Sequence, residues 1–141
     1  MKKMFFLPFC IMLFAAFSPE KETATLTSPA KRTCLVNLWF TNNSTTYTIP
    51  SVSFSDSFTS ATDFNIAPTD GASLSIDYAG GDLEFNVQFT SPHPGGTVQL
   101  KRGKSLIATT TVAANQNIVT LQMDGAANVF CGGSYMLIYT P

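Results

Sequence analysis

The sequence has little charge and almost no histidine. Asp, Glu, Lys and Arg make up 12% of its 141 residues, and it contains one histidine and one tryptophan. Its longest apolar stretch, residues 4–17, is shorter than the roughly 20 apolar residues that a transmembrane helix needs. No segment sustains the 3.6-residue hydrophobic period of an amphipathic helix. We therefore expect neither a transmembrane segment nor a helical fold.

The first residues have the pattern of a secretory signal. Lys2 and Lys3 precede the apolar stretch, which gives way to polar residues after Phe17. This order of a positive start, an apolar centre and a polar end is typical of signal peptides. We interpret residues 1–18 as a cleaved signal peptide, which predicts a secreted or periplasmic protein. The Met-Lys-Lys opening resembles the start of bacterial sequences.

Cysteine usage agrees with export. Of the three cysteines, Cys10 lies within the predicted signal peptide, which leaves Cys34 and Cys131 in the mature chain. An even number of cysteines is typical of proteins from oxidising compartments. We predict a disulfide between Cys34 and Cys131, and the alternative is a pair of buried free thiols.

The charge balance argues against nucleic-acid binding. Removing Lys2 and Lys3 from the eight basic residues leaves six against nine acidic ones, a net charge of about −3. Proteins that bind nucleic acids depend on basic patches that displace counterions from phosphates. One short basic run, residues 101–104, is expected to be the tip of a β-hairpin that could contact an anionic surface or glycan, but more simply keeps a turn solvated.

Hydrophobic residues recur with a period of two from residue 34 onward. This alternation indicates strands with one buried face. We interpret residues 19–33 as a flexible lead-in and residues 34–141 as one all-β domain, a single antiparallel β-sandwich of immunoglobulin-like or jelly-roll type with about eight or nine short strands. The expected strands are residues 34–40, 51–58, 64–66, 73–78, 83–89, 97–101, 106–113, 118–123 and 134–140.

Gly80-Gly81 lies between two alternating runs and favours a two-residue hairpin, since type I′ turns need positive φ at both central positions. That turn would place Asp77 opposite Glu84, with Asp82 on the same face. Like charges in such positions repel, so a calcium ion held by Asp77, Asp82 and Glu84 is a weak candidate site. A solvated acidic face is the preferred interpretation.

Two strands are apolar on both faces. In residues 34–40, Leu35 and Trp39 lie opposite the main apolar face, and in residues 134–140, Met136 and Ile138 do so. Because the two cysteines would join the starting ends of these strands, we expect the four side chains to share one outward patch. Either the lead-in or a long loop covers it, or it is a surface for a partner or for self-association. Trp39 as a sugar-stacking platform is a weaker alternative.

Catalytic motifs are scarce. His93 lies in a loop rich in proline and glycine, where a histidine is usually exposed, and no Gly-x-Ser-x-Gly motif is present. A single histidine with two paired cysteines leaves too few ligands for zinc. We expect no catalytic residue and no cofactor.

The sequence thus favours a non-enzymatic secreted module that acts by protein or glycan binding or by structural association. Two alternatives remain open at this stage: a small exported hydrolase, and a secreted inhibitor or effector.

Overall fold

The computed structural model describes residues 34–125, Val129 and residues 131–141. The predicted signal peptide with Cys10 and the predicted lead-in lie outside these residues. The described chain is all-β, and no helix within it is long and apolar enough to cross a membrane. It contains nine strands: β1 Cys34–Asn42, β2 Ile49–Ser55, β3 Ser60–Ile66, β4 Gly71–Tyr78, β5 Leu83–Gln88, β6 Gly96–Arg102, β7 Ser105–Val112, β8 Ile118–Met123 and β9 Ser134–Thr140. Each predicted strand corresponds to one of them, with ends that differ by a few residues.

The strands form two sheets. Sheet I has five strands in the order β4-β1-β9-β6-β7, and sheet II has four in the order β3-β2-β5-β8. The strands pair antiparallel except for β1 and β9, which run parallel in the middle of sheet I. The expectation of purely antiparallel sheets is therefore wrong for this pair. Cys34 and Cys131 bring the starting ends of β1 and β9 together, and two neighbouring strands that start at the same end run parallel.

The period-two pattern predicts the buried faces well. Leu74 and Ile76 of sheet I and Phe85 and Val87 of sheet II all point into one shared core. The two sheets meet through aromatic rings, since the ring centroids of Phe85 and Tyr135 are 6.4 Å apart. Each such buried side chain contributes about 1.5–3 kcal/mol of gross burial free energy.

Phe58 is an exception to this pattern. The period-two pattern of the expected strand over residues 51–58 places Phe58 on the same inward face as Val52 and Phe54, but β2 ends at Ser55 and Phe58 is 68% exposed. The side chain of Asp56 accepts hydrogen bonds from the backbone N–H groups of Phe58 and Thr59, both at 2.7 Å. This turn reverses the chain before Phe58 can join the buried face.

The predicted Gly80-Gly81 hairpin is wrong. β4 pairs along its whole length with β1, so that Asp77 lies opposite Leu35. β5 pairs with β2 and β8 in the other sheet, where Glu84 lies opposite Ser55 and Gln122. Gly80 and Gly81 do have positive φ, 114° and 89°, but their turn carries the chain from sheet I to sheet II. The alternation of apolar residues could not reveal this, because β4 and β5 bury alternate residues whether they pair with each other or belong to different sheets.

Cys34 and Cys131 lie at disulfide distance, with their Cα atoms 5.1 Å apart. Cys34 begins β1, and Cys131 lies three residues before β9. The backbone strengthens this junction, because Asn37 N–H donates to Gly133 C=O at 3.0 Å and Gly132 N–H donates to Leu35 C=O at 2.9 Å. The starting ends of the two central strands are therefore joined by backbone and side chains together.

Replacing both cysteines with serine is expected to lower the free energy of unfolding by about 4–5 kcal/mol. The cross-link closes a loop with a sequence separation of 97 residues, and a loop of this size gives that value in the chain-entropy model. Urea denaturation of the wild type and the double variant measures the difference. Mass spectrometry without reductant checks the premise, since two thiols open to alkylation in the folded protein would contradict it.

Candidate functional site

The outward face of sheet I carries exposed apolar side chains on β1, β9 and β7. The strand registers place five residues side by side across all five strands, in the order Ser73, Trp39, Met136, Lys101 and Leu106. Neighbouring strands are about 4.8 Å apart, so each of these residues lies beside the next. Trp39 and Met136 are direct partners, and they are 52% and 41% exposed. No described loop covers them.

The other two predicted patch residues lie on the same face, one close to the Trp39–Met136 pair and one farther away. Ile138 lies two residues after Met136 on β9 and is half-buried next to Thr41. Leu35 lies four residues before Trp39, about 13 Å along the strand, beside Asp77. We use "outer patch" for Leu35, Trp39, Met136 and Ile138. Its centre is the Trp39–Met136 pair, and Leu35 extends it toward the disulfide.

Leu106 belongs to the same surface, although the sequence did not identify it. Its side chain is 52% exposed beside Lys101. A register shift between Leu100 and Lys101 turns Leu106 outward. A β-bulge of this kind changes which face a residue occupies, and it leaves no signal in a period-two pattern. The basic run predicted at residues 101–104 does form the turn of the β6–β7 hairpin.

The outward face of sheet II is different in character. Its residues are mainly Ser, Thr, Asn and Gln, and some of them bond to one another. Glu84 accepts hydrogen bonds from the side chains of Asn86 at 2.7 Å and Gln122 at 3.3 Å, and these bonds lower the pKa of Glu84. Phe64 and Ile118 are exposed at opposite edges of this face, separated by Ser51 and Gln88. Sheet II therefore presents a polar surface without a continuous apolar patch.

The three carboxylates of the calcium candidate do not come together. Asp77 lies in sheet I, Glu84 lies in sheet II, and Asp82 accepts a hydrogen bond from Gly125 N–H at 3.3 Å. Within the described residues, no group of three or more His, Cys, Asp or Glu side chains is placed to hold a metal ion. The candidate depended on the Gly80-Gly81 hairpin and is wrong for the same reason.

His93 is buried rather than exposed, with 6% of its surface accessible. Gly95 N–H donates to Nδ1 at 3.1 Å, so Nδ1 carries no proton and Nε2 donates to Gln116 C=O at 3.0 Å. The ring also packs against Phe89 and Tyr47, at centroid distances of 4.9 and 5.8 Å. Both nitrogens bond to the backbone, and the bond to Gln116 joins the loop that contains His93 to the β7–β8 connection.

Asp56 is a structural residue that the sequence analysis missed. Besides its own turn, it accepts a hydrogen bond from Ala79 N–H at 2.7 Å and so ties the β2–β3 turn to the β4–β5 connection. Partial burial would raise the pKa of Asp56, but the N–H groups of Ala79, Phe58 and Thr59 outweigh this effect and lower it. Nearby, burial together with Asp56, Asp82 and Asp124 raises the pKa of Tyr78.

Asn42 is a second polar residue with a structural role. It is fully buried at the end of β1. Its Nδ2 donates to the carbonyls of Tyr47, Ile66 and Ala67 at 2.9–3.1 Å, and its Oδ1 accepts from Ser44 N–H. The signal in the sequence is an asparagine that directly follows an apolar strand and begins an Asx turn.

The described part of the chain contains no cleft or cavity. Comparisons of the sequence with protein-family models and with curated proteins, and of the structure with solved structures, find no match. The surfaces and loops of the protein are therefore the features that bear on its function.

The first test concerns the role of His93. Replacing it with phenylalanine is expected to lower the free energy of unfolding by about 2–3 kcal/mol, because Gly95 N–H and Gln116 C=O lose their partners. Urea denaturation measures the loss, and His93→Gln, which keeps a donor and an acceptor, is the control. Catalytic residues commonly cost stability instead of adding to it, so an unchanged or more stable His93→Phe variant would contradict a structural role.

The second test concerns the pH dependence caused by Asp56. Its pKa is lowered from 3.8 in the folded state, so its contribution is fully present above that value and is lost as the pH falls through the folded pKa. Asp56→Asn is expected to lower the free energy of unfolding by about 1–3 kcal/mol at pH 7. The difference from the wild type should shrink at pH 3. A difference that is equal at both pH values would show that the charge is unimportant.

Proposed function

We propose that the protein is an exported, non-enzymatic β-sandwich module that binds a protein partner through the outer patch. The observation that carries this proposal is the exposed pair of Trp39 and Met136 in the middle of sheet I. Both lie on central strands, where a side chain in an uncovered sheet would ordinarily be polar.

The composition of this face favours an apolar protein surface as the ligand. Aromatic residues and methionine are enriched at protein interfaces, and charged residues are depleted from interface centres. Among the outward positions of the five strands, the charged residues are Asp77 and Lys101. Asp77 lies beside Leu35, away from the Trp39–Met136 pair. Lys101 lies beside Met136, and its long side chain can keep the ammonium in water while the apolar stem is covered.

The loops support the non-enzymatic part of the proposal. His93 is engaged on both ring nitrogens, Asp56 holds two turns together, and Asn42 bonds to three carbonyls. These polar groups are used to fix the backbone. The absence of a cleft in the described residues agrees with a protein that acts through a flat surface.

Export is supported by two independent features. The sequence begins with the charge and hydrophobicity pattern of a signal peptide, and the two remaining cysteines lie at disulfide distance. Disulfides persist in oxidising compartments such as the periplasm and the extracellular space.

A glycan ligand is the second candidate, supported by the polar residues around Trp39. Asn37 and Ser73 lie beside it, and Ser75 donates a hydrogen bond to Asn37 Oδ1 at 2.6 Å. A half-exposed indole bordered by amide and hydroxyl groups can stack on a sugar ring and bond to its hydroxyls. Met136 and Ile138 favour the protein ligand, because they add apolar area that a sugar does not need.

The test combines fluorescence with matched variants. Trp39 is the single tryptophan, so its emission reports on the outer patch and should be red-shifted in dilute protein. Immobilised protein is then exposed to surface proteins of the producing cell and to a glycan array. Trp39→Ser is expected to weaken binding by about tenfold or more, whereas Phe64→Ser on the outward face of sheet II should leave it unchanged.

Two results would contradict the proposal. One is a blue emission that iodide does not quench, which would mean that another part of the chain covers the patch. The other is equal binding by the wild type and Trp39→Ser.

A further inference from the structure

We infer that β7 is a second interaction site, at which two copies of the chain pair edge to edge and extend sheet I. β7 is the last strand of that sheet, and among the described residues it pairs with β6 alone. An edge strand of this kind has a row of unpaired N–H and C=O groups that can bond to another strand.

The sequence of β7 lacks the charged residues and prolines that usually prevent such pairing. Its eight residues, Ser105–Val112, include no charged residue, no proline and no glycine. Its one irregularity is the bulge near Ile107, which leaves residues 108–112 regular. β-branched residues dominate this second half, and they favour extended structure.

The other edges are better protected. β3 has a charged residue, Asp63, opposite the buried Val52, and Asn65 within it has a φ of 56°. Inward charges and backbone irregularities are common means of blocking edge pairing. β4 contacts β3 of the other sheet more extensively than β7 contacts β8. β8 is also uncharged, with six residues, but Asp124 follows it directly.

The register of the pairing follows from the faces of β7. The bulge near Ile107 interrupts its alternation, so regular pairing is limited to residues 108–112. An antiparallel pair centred on Thr110 places Thr110 opposite its copy, Thr109 opposite Thr111, and Ala108 opposite Val112. This register keeps inward residues opposite inward residues and forms Thr–Thr pairs, which are favourable across strands.

The charge at one end of β7 favours an antiparallel orientation of the second copy. The turn with Lys104 lies at that end, and residues 113–117 at the other end are uncharged. An antiparallel pair places each basic turn next to the uncharged end of its partner, whereas a parallel pair would place the two basic turns together. The antiparallel dimer would also put both outer patches on one face of a continuous sheet.

The first experiment uses charge pairs at exposed positions. In Thr109→Lys/Thr111→Lys, lysines face each other across the dimer, whereas in Thr109→Lys/Thr111→Glu each lysine faces a glutamate. Sedimentation of the purified full chain up to about millimolar concentration should show a monomer–dimer equilibrium for the wild type, because such a small contact gives weak association. The Lys/Lys variant should weaken it about tenfold, and the Lys/Glu variant should restore it to within about threefold of the wild type.

The second experiment is a cross-link that needs no equilibrium dimer. Directly opposite Cα atoms in antiparallel strands are about 4.5–5.5 Å apart, within disulfide reach. Thr110→Cys should therefore form a covalent dimer under mild oxidation, and Thr62→Cys on β3 is the matched control. A wild type that stays monomeric, equal effects of the two charge variants, or equal cross-linking by both cysteines would overturn the inference. The Trp39→Ser variant should dimerise normally, which separates this result from that of the proposed function.

Discussion

The parallel pairing of β1 with β9 is the constraint on which the rest of the structure depends. It joins the beginning and the end of the described chain in the middle of sheet I, and Cys34 and Cys131 tie the two strands at the same end. Such non-local pairing carries a large cost in loop-closure entropy, and the cross-link removes much of that cost from the folding equilibrium. The two strands with apolar residues on both faces thereby become neighbours, and Trp39 comes to lie against Met136.

The same pairing explains why the Gly80-Gly81 hairpin does not form. A central strand has two sides, and β1 uses one for β9 and the other for β4. β4 is therefore held in sheet I, while β5 completes sheet II between β2 and β8. A Gly-Gly turn is a local signal, and here the longer-range pairings outweigh it. The glycines keep their positive φ and serve a crossing between sheets.

The sequence predicts those features that depend on residue type at fixed spacing. These include the strands, their buried faces and the outward positions of Trp39 and Met136, because a strand alternates its faces whatever lies beside it. It does not predict the burial of His93 or the bonds of Asp56, because their partners, Gln116 and Ala79, belong to distant segments. The outward turn of Leu106 was missed for a similar reason, since a bulge depends on the partner strand.

The two outward faces differ in how far their side chains are satisfied within the chain. On sheet II, polar side chains bond to one another, as Glu84 does with Asn86 and Gln122, so that face gains little from meeting another molecule. On sheet I, Trp39 and Met136 expose apolar area that only burial can stabilise. The polar side chains of the loops, such as His93 and Asp56, form hydrogen bonds within the chain. Under the two proposals, association would use the outer patch on β1 and β9 and the uncharged edge strand β7, which are parts of the same sheet.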